Sequence, residues 1–84
     1  MKTVAVRVLY FAQAQERCGC AEERCDLPQQ TTVDEVFALL GARHPVLSSL
    51  LPRCRLAVDH AFVSGALTLG GTSELAVIPP VSGG

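Results

Sequence analysis

Residues 31–45, TTVDEVFALLGARHP, carry the pattern of a single amphipathic helix. Thr32 can cap its start, and Glu35 stands three residues later, as in a capping box. The apolar residues recur at positions i, i+3, i+4 and i+7, which places four of them on one stripe: Val33, Val36, Phe37 and Leu40. The helix closes between Gly41 and Pro45. Because one helix with one apolar face must bury that face against other structure, this stretch predicts a sheet.

The chain before the helix supplies two predicted strands. Residues 2–11 alternate in hydrophobicity and are rich in valine, as in a strand. One face of this strand carries Val4, Val6, Val8 and Tyr10, and the other carries Thr3, Ala5, Arg7, Leu9 and Phe11. Both faces are apolar towards the end, so we expect the strand to lie centrally in the sheet. A helical turn over 12–18, ended by Gly19, leads to a charged strand over 21–27 that we expect at an edge.

The chain after the helix supplies the rest of the sheet. VLSSLL (46–51) predicts a short helical segment, RCRLAVD (53–59) a strand, HAFVSG (60–65) a short strand and turn, and ELAVI (74–78) the last strand. This order of elements predicts an α+β domain of the β-grasp (ubiquitin-like) class, a mixed sheet with one main helix packed across it. In that fold the first and last strands lie side by side and parallel. We expect the domain to span residues 1–80, followed by a flexible tail over 81–84.

The composition of the chain excludes several classes of function. A chain of 84 residues, of which 49% are apolar and 18% charged, predicts one folded domain rather than a disordered chain. A net charge of −1 argues against non-specific binding of nucleic acid and against a basic membrane-binding surface. The apolar runs are shorter than the ~20 residues of a membrane span, and Arg7 interrupts the one stretch that is similar to a signal peptide. We therefore expect a cytoplasmic protein that binds neither nucleic acid nor membrane.

Four cysteines, Cys18, Cys20, Cys25 and Cys54, leave three interpretations open. They could form two disulfides, they could hold zinc, or they could be small buried or half-buried residues. Reduced thiols are expected in a cytoplasmic protein, and the spacing matches no common C-x2-C zinc pairing. We therefore favour the interpretation that the cysteines are small buried or half-buried residues, and we expect no metal site.

Residues that could catalyse a reaction by themselves are few. His44 stands before Pro45 at the end of the helix, where capping or a surface role is favoured. His60 follows Asp59 in a predicted turn, and turns favour polar residues. No serine stands in a nucleophile elbow, and the Gly-Gly pair at 70–71 lacks the rest of a phosphate-binding loop. The sequence therefore predicts no self-contained active site.

The C-terminal stretch, IPPVSGG, is the remaining candidate. Pro79 and Pro80 cannot continue a strand ladder, so the sheet ends before them. The residues from Val81 to Gly84 can extend about 13–14 Å at ~3.4 Å per residue. Gly83 and Gly84 keep this segment thin enough for a partner's backbone to close around it. The α-carboxylate of Gly84 is the reactive group there, and it becomes an acyl donor once it is activated, for example as an acyl-adenylate.

Four stretches together resemble one family. RVLYFAQAQE (7–16), LPQQTTVDEVFALL (27–40), LAVDHAFV (56–63) and ELAVIPPVSGG (74–84) are similar to the small, sulfur-carrying subunit of molybdopterin synthase. The resemblance covers nearly the whole chain, and IPPVSGG is its most specific part. The sequence departs from the family pattern at turns, for example at Asp59, where the family usually has asparagine.

The resemblance implies a non-catalytic sulfur donor. An adenylyltransferase of the ubiquitin-activating type would adenylate Gly84 with ATP, and sulfur would replace AMP to give a C-terminal thiocarboxylate. The tail would then enter the large catalytic subunit and deliver sulfur to a cyclic pyranopterin precursor of the molybdenum cofactor. The implied assembly is a heterotetramer of two small and two large subunits. ATP would be used transiently, no cofactor would be bound permanently, and the catalytic side chains would lie on the large subunit.

A docking surface is predicted on the outer face of the sheet. If the valines of the first strand face the helix, alternation places Leu9, Phe11 and Ile78 on the opposite face. A small exposed apolar cluster is a partner site, and Arg7 and Arg55 are the candidates for its charged rim. The expected partner contacts continue along the chain into Pro79, Pro80, Val81 and Ser82, next to the reactive Gly83 and Gly84. The alternative is that VLSSLL (46–51) or a loop covers the apolar cluster.

Three other functions stay open. A carrier for thiazole synthesis would use the same chemistry with a different acceptor. A ubiquitin-like protein modifier is disfavoured as a builder of chains, because Lys2 is the only lysine, but not as a single tag. A β-grasp binding module with an inert tail is the third.

Overall fold

The computed structural model describes residues 2–70 and 73–80, so the predicted tail over 81–84 lies outside the described residues. Seven strands and two helices follow one another in the order β1 Thr3–Tyr10, α1 Ala12–Cys18, β2 Glu22–Pro28, β3 Gln30–Thr32, α2 Val33–Arg43, β4 Arg55–Val58, β5 Ala61–Val63, β6 Ala66–Thr68 and β7 Glu74–Ile78. Two single turns of 3-10 helix, Pro45–Leu47 and Leu51–Arg53, connect α2 to β4.

Five of the strands form one mixed sheet in the order β2-β1-β7-β4-β5. β1 and β7 are parallel neighbours, and the other pairs are antiparallel. β1 therefore lies inside the sheet and the charged β2 at its edge, as the sequence predicts. With α2 packed across one face, this arrangement confirms the β-grasp fold.

A second, two-stranded sheet is the element that the sequence pattern did not reveal. β3 pairs antiparallel with β6, so that Thr31 lies opposite Leu67. Each strand has three residues, and β3 reads Gln-Thr-Thr, so there is no apolar alternation by which to recognise it. The small sheet leads directly into α2 and places the predicted cap residue Thr32 at its end.

At the start of α2, one of the two hydrogen bonds of the predicted capping box is present. The Thr32 hydroxyl accepts a hydrogen bond from the backbone N–H of Glu35 at 3.1 Å. The Glu35 carboxylate does not reach back to the cap residue; it accepts a hydrogen bond from the Thr31 hydroxyl at 3.0 Å. The helix continues through Gly41 and ends at Arg43, with His44 as its C-cap.

The core lies between α2 and the inner face of the sheet. Val36 and Leu40 of the helix are fully buried. The buried strand residues that join them in one cluster are Val6, Val8, Tyr10, Leu56, Leu75 and Val77. Phe37 is only partly buried and packs at the margin of this cluster, so the centre of the helix stripe is Val36 and Leu40. The reason is geometric, because residues one position apart on a helix point about 100° apart.

The segment VLSSLL contributes to the same core. Leu47, Leu50 and Leu51 are buried in it, next to the end of α2. This segment therefore does not cover the outer face of the sheet, and that part of the alternative is wrong. Among the described residues, no helix is both long and apolar enough to cross a membrane.

Candidate functional site

The outer face of the main sheet carries a shallow apolar hollow of about 300 Å³. Leu9, Phe11 and Ile78, the three residues that the sequence assigns to a docking surface, all line it. The other lining residues are Ala57, His60, Phe62, Glu74 and Ala76. The structure thus brings the predicted apolar cluster together, and we call this surface the outer hollow.

The shape of the outer hollow follows from the strand register. One row of cross-strand partners runs Leu9, Ala76, Ala57 and Phe62 across β1, β7, β4 and β5. The two central positions are alanines, whereas the flanking positions carry a leucine and a phenylalanine. Small residues in the middle of the row make a floor, and the larger side chains stand as walls on either side.

Both aromatic residues of the outer hollow are unusually accessible. Phe11 is 44% exposed and Phe62 is 54% exposed. A folded monomer leaves large apolar side chains together at its surface mainly where another molecule binds. The exposure and the concave shape together indicate a docking surface for a partner protein.

Charged residues border the outer hollow. Arg7 forms two ion pairs, from Nε to Glu22 and from Nη2 to Glu74, each at 3.1 Å. The guanidinium carbon of Arg55 lies 3.9 Å from the centre of the Phe62 ring, in a cation–π contact. Both predicted rim arginines are therefore on this face, but Arg7 is held by two carboxylates and Arg55 by an aromatic ring.

The last strand leaves the sheet at the edge of the outer hollow. Ile78 ends β7 opposite Arg55 of β4, and Pro79 and Pro80 follow it. Pro79 is buried and Pro80 is exposed, so the chain turns from the fold to the surface within these two residues. The remaining predicted contact and reactive residues, Val81, Ser82, Gly83 and Gly84, lie outside the described residues.

Asp59 and His60 form the turn between β4 and β5 rather than a catalytic pair. Their φ angles are +49° and +73°, as in the two-residue type I′ turn of a tight hairpin. The Asp59 carboxylate accepts a hydrogen bond from the backbone N–H of Glu74 at 2.9 Å. Aspartate tolerates this left-handed conformation almost as well as asparagine does, so the departure from the family pattern at Asp59 preserves the turn.

Five residues of the outer hollow were not predicted from the sequence: Ala57, His60, Phe62, Glu74 and Ala76. The alternation of ELAVI and RLAVD places both alanines on the outer face, and this signal was available. Phe62 could not be assigned, because the face that a three-residue strand presents depends on its register with β4.

A polar cluster lies on the inner side of β2, away from the outer hollow. The Glu23 carboxylate accepts hydrogen bonds from the Tyr10 hydroxyl at 2.5 Å and from Arg43 Nε at 2.6 Å, and it contacts His44 Nε2 at 2.5 Å. Burial acts to raise the pKa of Glu23, but the hydrogen bonds from Tyr10, His44 and Arg43 outweigh it and lower that pKa. Burial and the adjacent Glu23 raise the pKa of Tyr10.

All four cysteines are free thiols, which excludes the disulfide interpretation for this structure. Burial, the hydrogen bond with Cys18 and the charges nearby raise the pKa of Cys20 to about 11. Burial likewise raises the pKa of Cys25 and Cys54.

Comparisons with known proteins agree on one family. Residues 8–84 match the ThiS family. The molybdopterin synthase sulfur carrier subunit of Caenorhabditis briggsae is 35% identical over 83 residues, covering 96% of this chain and 99% of that protein. Among solved structures, SAMP1 of Haloferax volcanii, a small archaeal modifier protein, is similar with a TM-score of 0.82 at 25% identity, covering 95% of this chain and 99% of that one. A complex of subunits 1 and 2 of the molybdopterin-converting factor from Helicobacter pylori contains a chain with the same fold, with a TM-score of 0.70 at 20% identity, covering 96% of this chain and 100% of that one.

Proposed function

The chain belongs to the ThiS family, and we propose that it is the sulfur carrier subunit of a molybdopterin synthase. Its curated relatives from animals, algae and plants bear that name at 29–35% identity over most of their length. The proposed setting is the cytoplasm, where thiols such as the four free cysteines stay reduced.

One observation carries the proposal: the chain leaves the fold from the edge of the outer hollow. Ile78 lines the hollow, and Pro80 is exposed two residues later. A partner that covers the hollow therefore also receives the residues that follow. The residues from Val81 to Gly84 can reach about 13–14 Å into that partner at ~3.4 Å per residue.

The proposed chemistry takes place at the Gly84 carboxylate. An adenylyltransferase of the ubiquitin-activating type joins this carboxylate to the AMP part of ATP and releases pyrophosphate. A sulfur nucleophile then attacks the acyl carbon and displaces AMP, which leaves a thiocarboxylate. If the sulfur arrives as a persulfide, its outer sulfur bonds to the acyl carbon, and a further thiol must then cleave the S–S bond. The outer sulfur stays on Gly84 as the thiocarboxylate, and the inner sulfur of the persulfide leaves in a disulfide with the attacking thiol.

The proposed acceptor is bound by the large synthase subunit. The Helicobacter pylori complex, which pairs subunits 1 and 2, supports such a partner for this chain. The outer hollow supplies the apolar contact and the tail supplies sulfur to a cyclic pyranopterin precursor. Because a dithiolene needs two sulfur atoms, we propose an assembly with two small and two large subunits.

The decisive experiment measures intact mass after the full chain is incubated with the activating enzyme, ATP and a sulfur donor. We expect a mass gain of one sulfur in place of one oxygen, and fragmentation should locate it at Gly84. Deletion of Gly84 should abolish the gain, while circular dichroism and binding to the large subunit stay unchanged. A deletion variant that still gains sulfur at its terminus would contradict the proposal.

The molecule that accepts the sulfur distinguishes this function from that of a carrier for thiazole synthesis. We expect the loaded chain, mixed with the large subunit and the pyranopterin precursor, to yield the dithiolene product and to return to its original mass. If loading succeeds but sulfur is released only to a thiazole-forming system, the chain is a carrier of the other kind.

A second candidate, a protein modifier, is favoured by the similarity to SAMP1. The same carboxyl activation would then end in an amide bond to a lysine of another protein. Incubation with a cell extract and ATP separates the two functions. A modifier gives covalent conjugates that resist thiols and hydroxylamine, whereas a sulfur carrier gives the thiocarboxylate alone.

A further inference from the structure

Three elements bring metal-ligating side chains together at the end of β2 that lies next to α1. Cys18 and Cys20 flank the end of α1, Glu23 lies on β2, and His44 caps α2. The ligand atoms of Cys20, Glu23 and His44 all lie within 4.8 Å of one another. The Sγ atom of Cys18 lies 3.8 Å from the Sγ atom of Cys20.

The separation of the two sulfur atoms suits a tetrahedral ion. Two thiolates bound to zinc at about 2.3 Å each, at the tetrahedral angle, are roughly 3.8 Å apart. The sulfur pair already has this separation without any ion. The Glu23 carboxylate and the His44 imidazole lie within 4.8 Å of the Cys20 sulfur, so these three residues supply ligands of the types that zinc takes in proteins, and the adjacent Cys18 sulfur is the fourth.

The backbone fixes the two cysteines by a helix cap. Gly19 has a φ of +76° and donates its N–H to the Gln15 carbonyl at 2.9 Å, so it ends α1 in the left-handed conformation. This conformation favours glycine. It turns the chain sharply between Cys18 and Cys20, which brings their sulfur atoms to the same side.

Groups around the cluster hold the other two ligands in place. Glu23 accepts hydrogen bonds from the Tyr10 hydroxyl and from Arg43 Nε, and the His44 ring contacts Tyr10 edge-on at 5.5 Å between centroids. Such outer contacts orient ligands in metal sites. Two thiolates and one carboxylate around a divalent cation leave one negative charge, and Arg43 stands beside it.

We propose that Cys18, Cys20, Glu23 and His44 form a binding site for one zinc ion. The ion takes the place of the hydrogen bond between Glu23 and His44, and both side chains turn their contacting atoms to it. Each of the four is half-buried, so the ion can enter from solvent. The spacing of the cysteines alone did not indicate this site, because two of its ligands come from β2 and from the end of α2.

The proposal is independent of the sulfur carrier function, and it is tested on the reduced full chain. Zn²⁺ is titrated in competition with a chromophoric chelator, and Co²⁺ is used as a spectroscopic probe. We expect one ion per chain, and the Co²⁺ form should show thiolate charge-transfer bands and the intense visible bands of tetrahedral cobalt. Cys20→Ser and His44→Gln should each weaken binding at least about 100-fold, since loss of even an outer contact costs 10–100-fold.

Cys54→Ser is the matched control. Cys54 is also a half-buried free cysteine, but its thiol contacts the Leu50 carbonyl at 3.4 Å, outside the cluster. We expect this variant to bind zinc as the wild type does, and zinc should raise the melting temperature of both but not that of Cys20→Ser. If Cys20→Ser is unfolded by circular dichroism, Cys18→Ser and Glu23→Gln replace it.

Four results would overturn the proposal. The first is no binding in competition with the chelator, and the second is an octahedral cobalt spectrum without thiolate bands. The third is an equal loss in Cys54→Ser. The fourth is a stoichiometry of half an ion per chain, which would mean that zinc bridges two molecules instead.

Discussion

Phe11 is the residue at which the docking role of the outer hollow can be tested most directly. A phenylalanine side chain offers about 200 Å² of surface, and Phe11 is 44% exposed, so a partner can bury roughly 90 Å² of it. At about 25 cal/mol per Å², that area corresponds to ~2 kcal/mol. Phe11→Ala should therefore weaken binding to the large subunit about 30-fold, because 1.4 kcal/mol is a factor of ten.

Phe11→Asp should weaken binding further without loss of the fold. In the complex its carboxylate would be buried without a partner, which costs more than the lost apolar contact. In the free protein Phe11 is the N-cap of α1, and its side chain makes no capping hydrogen bond. Aspartate is one of the preferred residues at that position, so the helix should be at least as stable in the variant.

The assay is calorimetric titration of each variant with the large subunit, with circular dichroism as the control for folding. Leu39→Asp is the matched control, because Leu39 is 45% exposed on α2, on the other side of the sheet. We expect that variant to bind as the wild type does. Wild-type affinity in a folded Phe11→Asp protein, or an equal loss in Leu39→Asp, would refute the assignment of the outer hollow as the docking surface.

Three further predictions concern stability. Leu40→Ala should lower the free energy of unfolding by about 2–5 kcal/mol, because Leu40 is fully buried. Phe37→Ala should lower it by less, because Phe37 is partly exposed. Urea denaturation measures both, and a larger loss in Phe37→Ala would show that Val36 and Leu40 are not the centre of the helix stripe. Thr32→Ala should cost ~1 kcal/mol in the same assay, through loss of the hydrogen bond to the Glu35 N–H, and an unchanged midpoint would mean that the cap contributes nothing. Glu23 has a lowered pKa in the folded protein, so its contribution is present above the ordinary carboxyl pKa of about 4.3 and is lost as pH falls through the lower folded value. Wild type should therefore exceed Glu23→Gln in stability at pH 7, and the gap should close in acid; a gap that stays constant down to pH ~2 would exclude Glu23 as the cause.

The sequence predicted most of the fold because its signals are local. Three segments show the periodicity of their own secondary structure: the capped helix stripe, the alternating residues 2–11 and the final strand ELAVI. The structure confirms all three. The partial burial of Phe37 was not predictable from the stripe, since residues on its margin are covered or exposed according to what packs beside them.

Some of the residues that line the outer hollow could be predicted from the sequence, but its shape could not. Alternation along a strand assigned Leu9, Phe11 and Ile78 to one face, but it could not show that Phe62 joins them or that two alanines form the floor between them. Those facts depend on the pairing of β4 with β5 and with β7, which is a relation between distant segments. The apolar cluster was therefore predicted as one face of the sheet, and the structure shows that this face is concave.

The sequence by itself determined the helix, the strands of the main sheet and the proline exit, since each depends on residues that are neighbours in the chain. Only the tertiary structure decided which side chains meet across elements. It placed the outer hollow at the point where β7 ends, so that the proposed docking surface adjoins Pro79 and Pro80. It also brought Cys20, Glu23 and His44 within 4.8 Å of one another, although Glu23 and His44 are separated by 21 positions in the chain. The physical reason is that periodicity fixes the direction of a side chain, whereas proximity is fixed by strand register and helix packing.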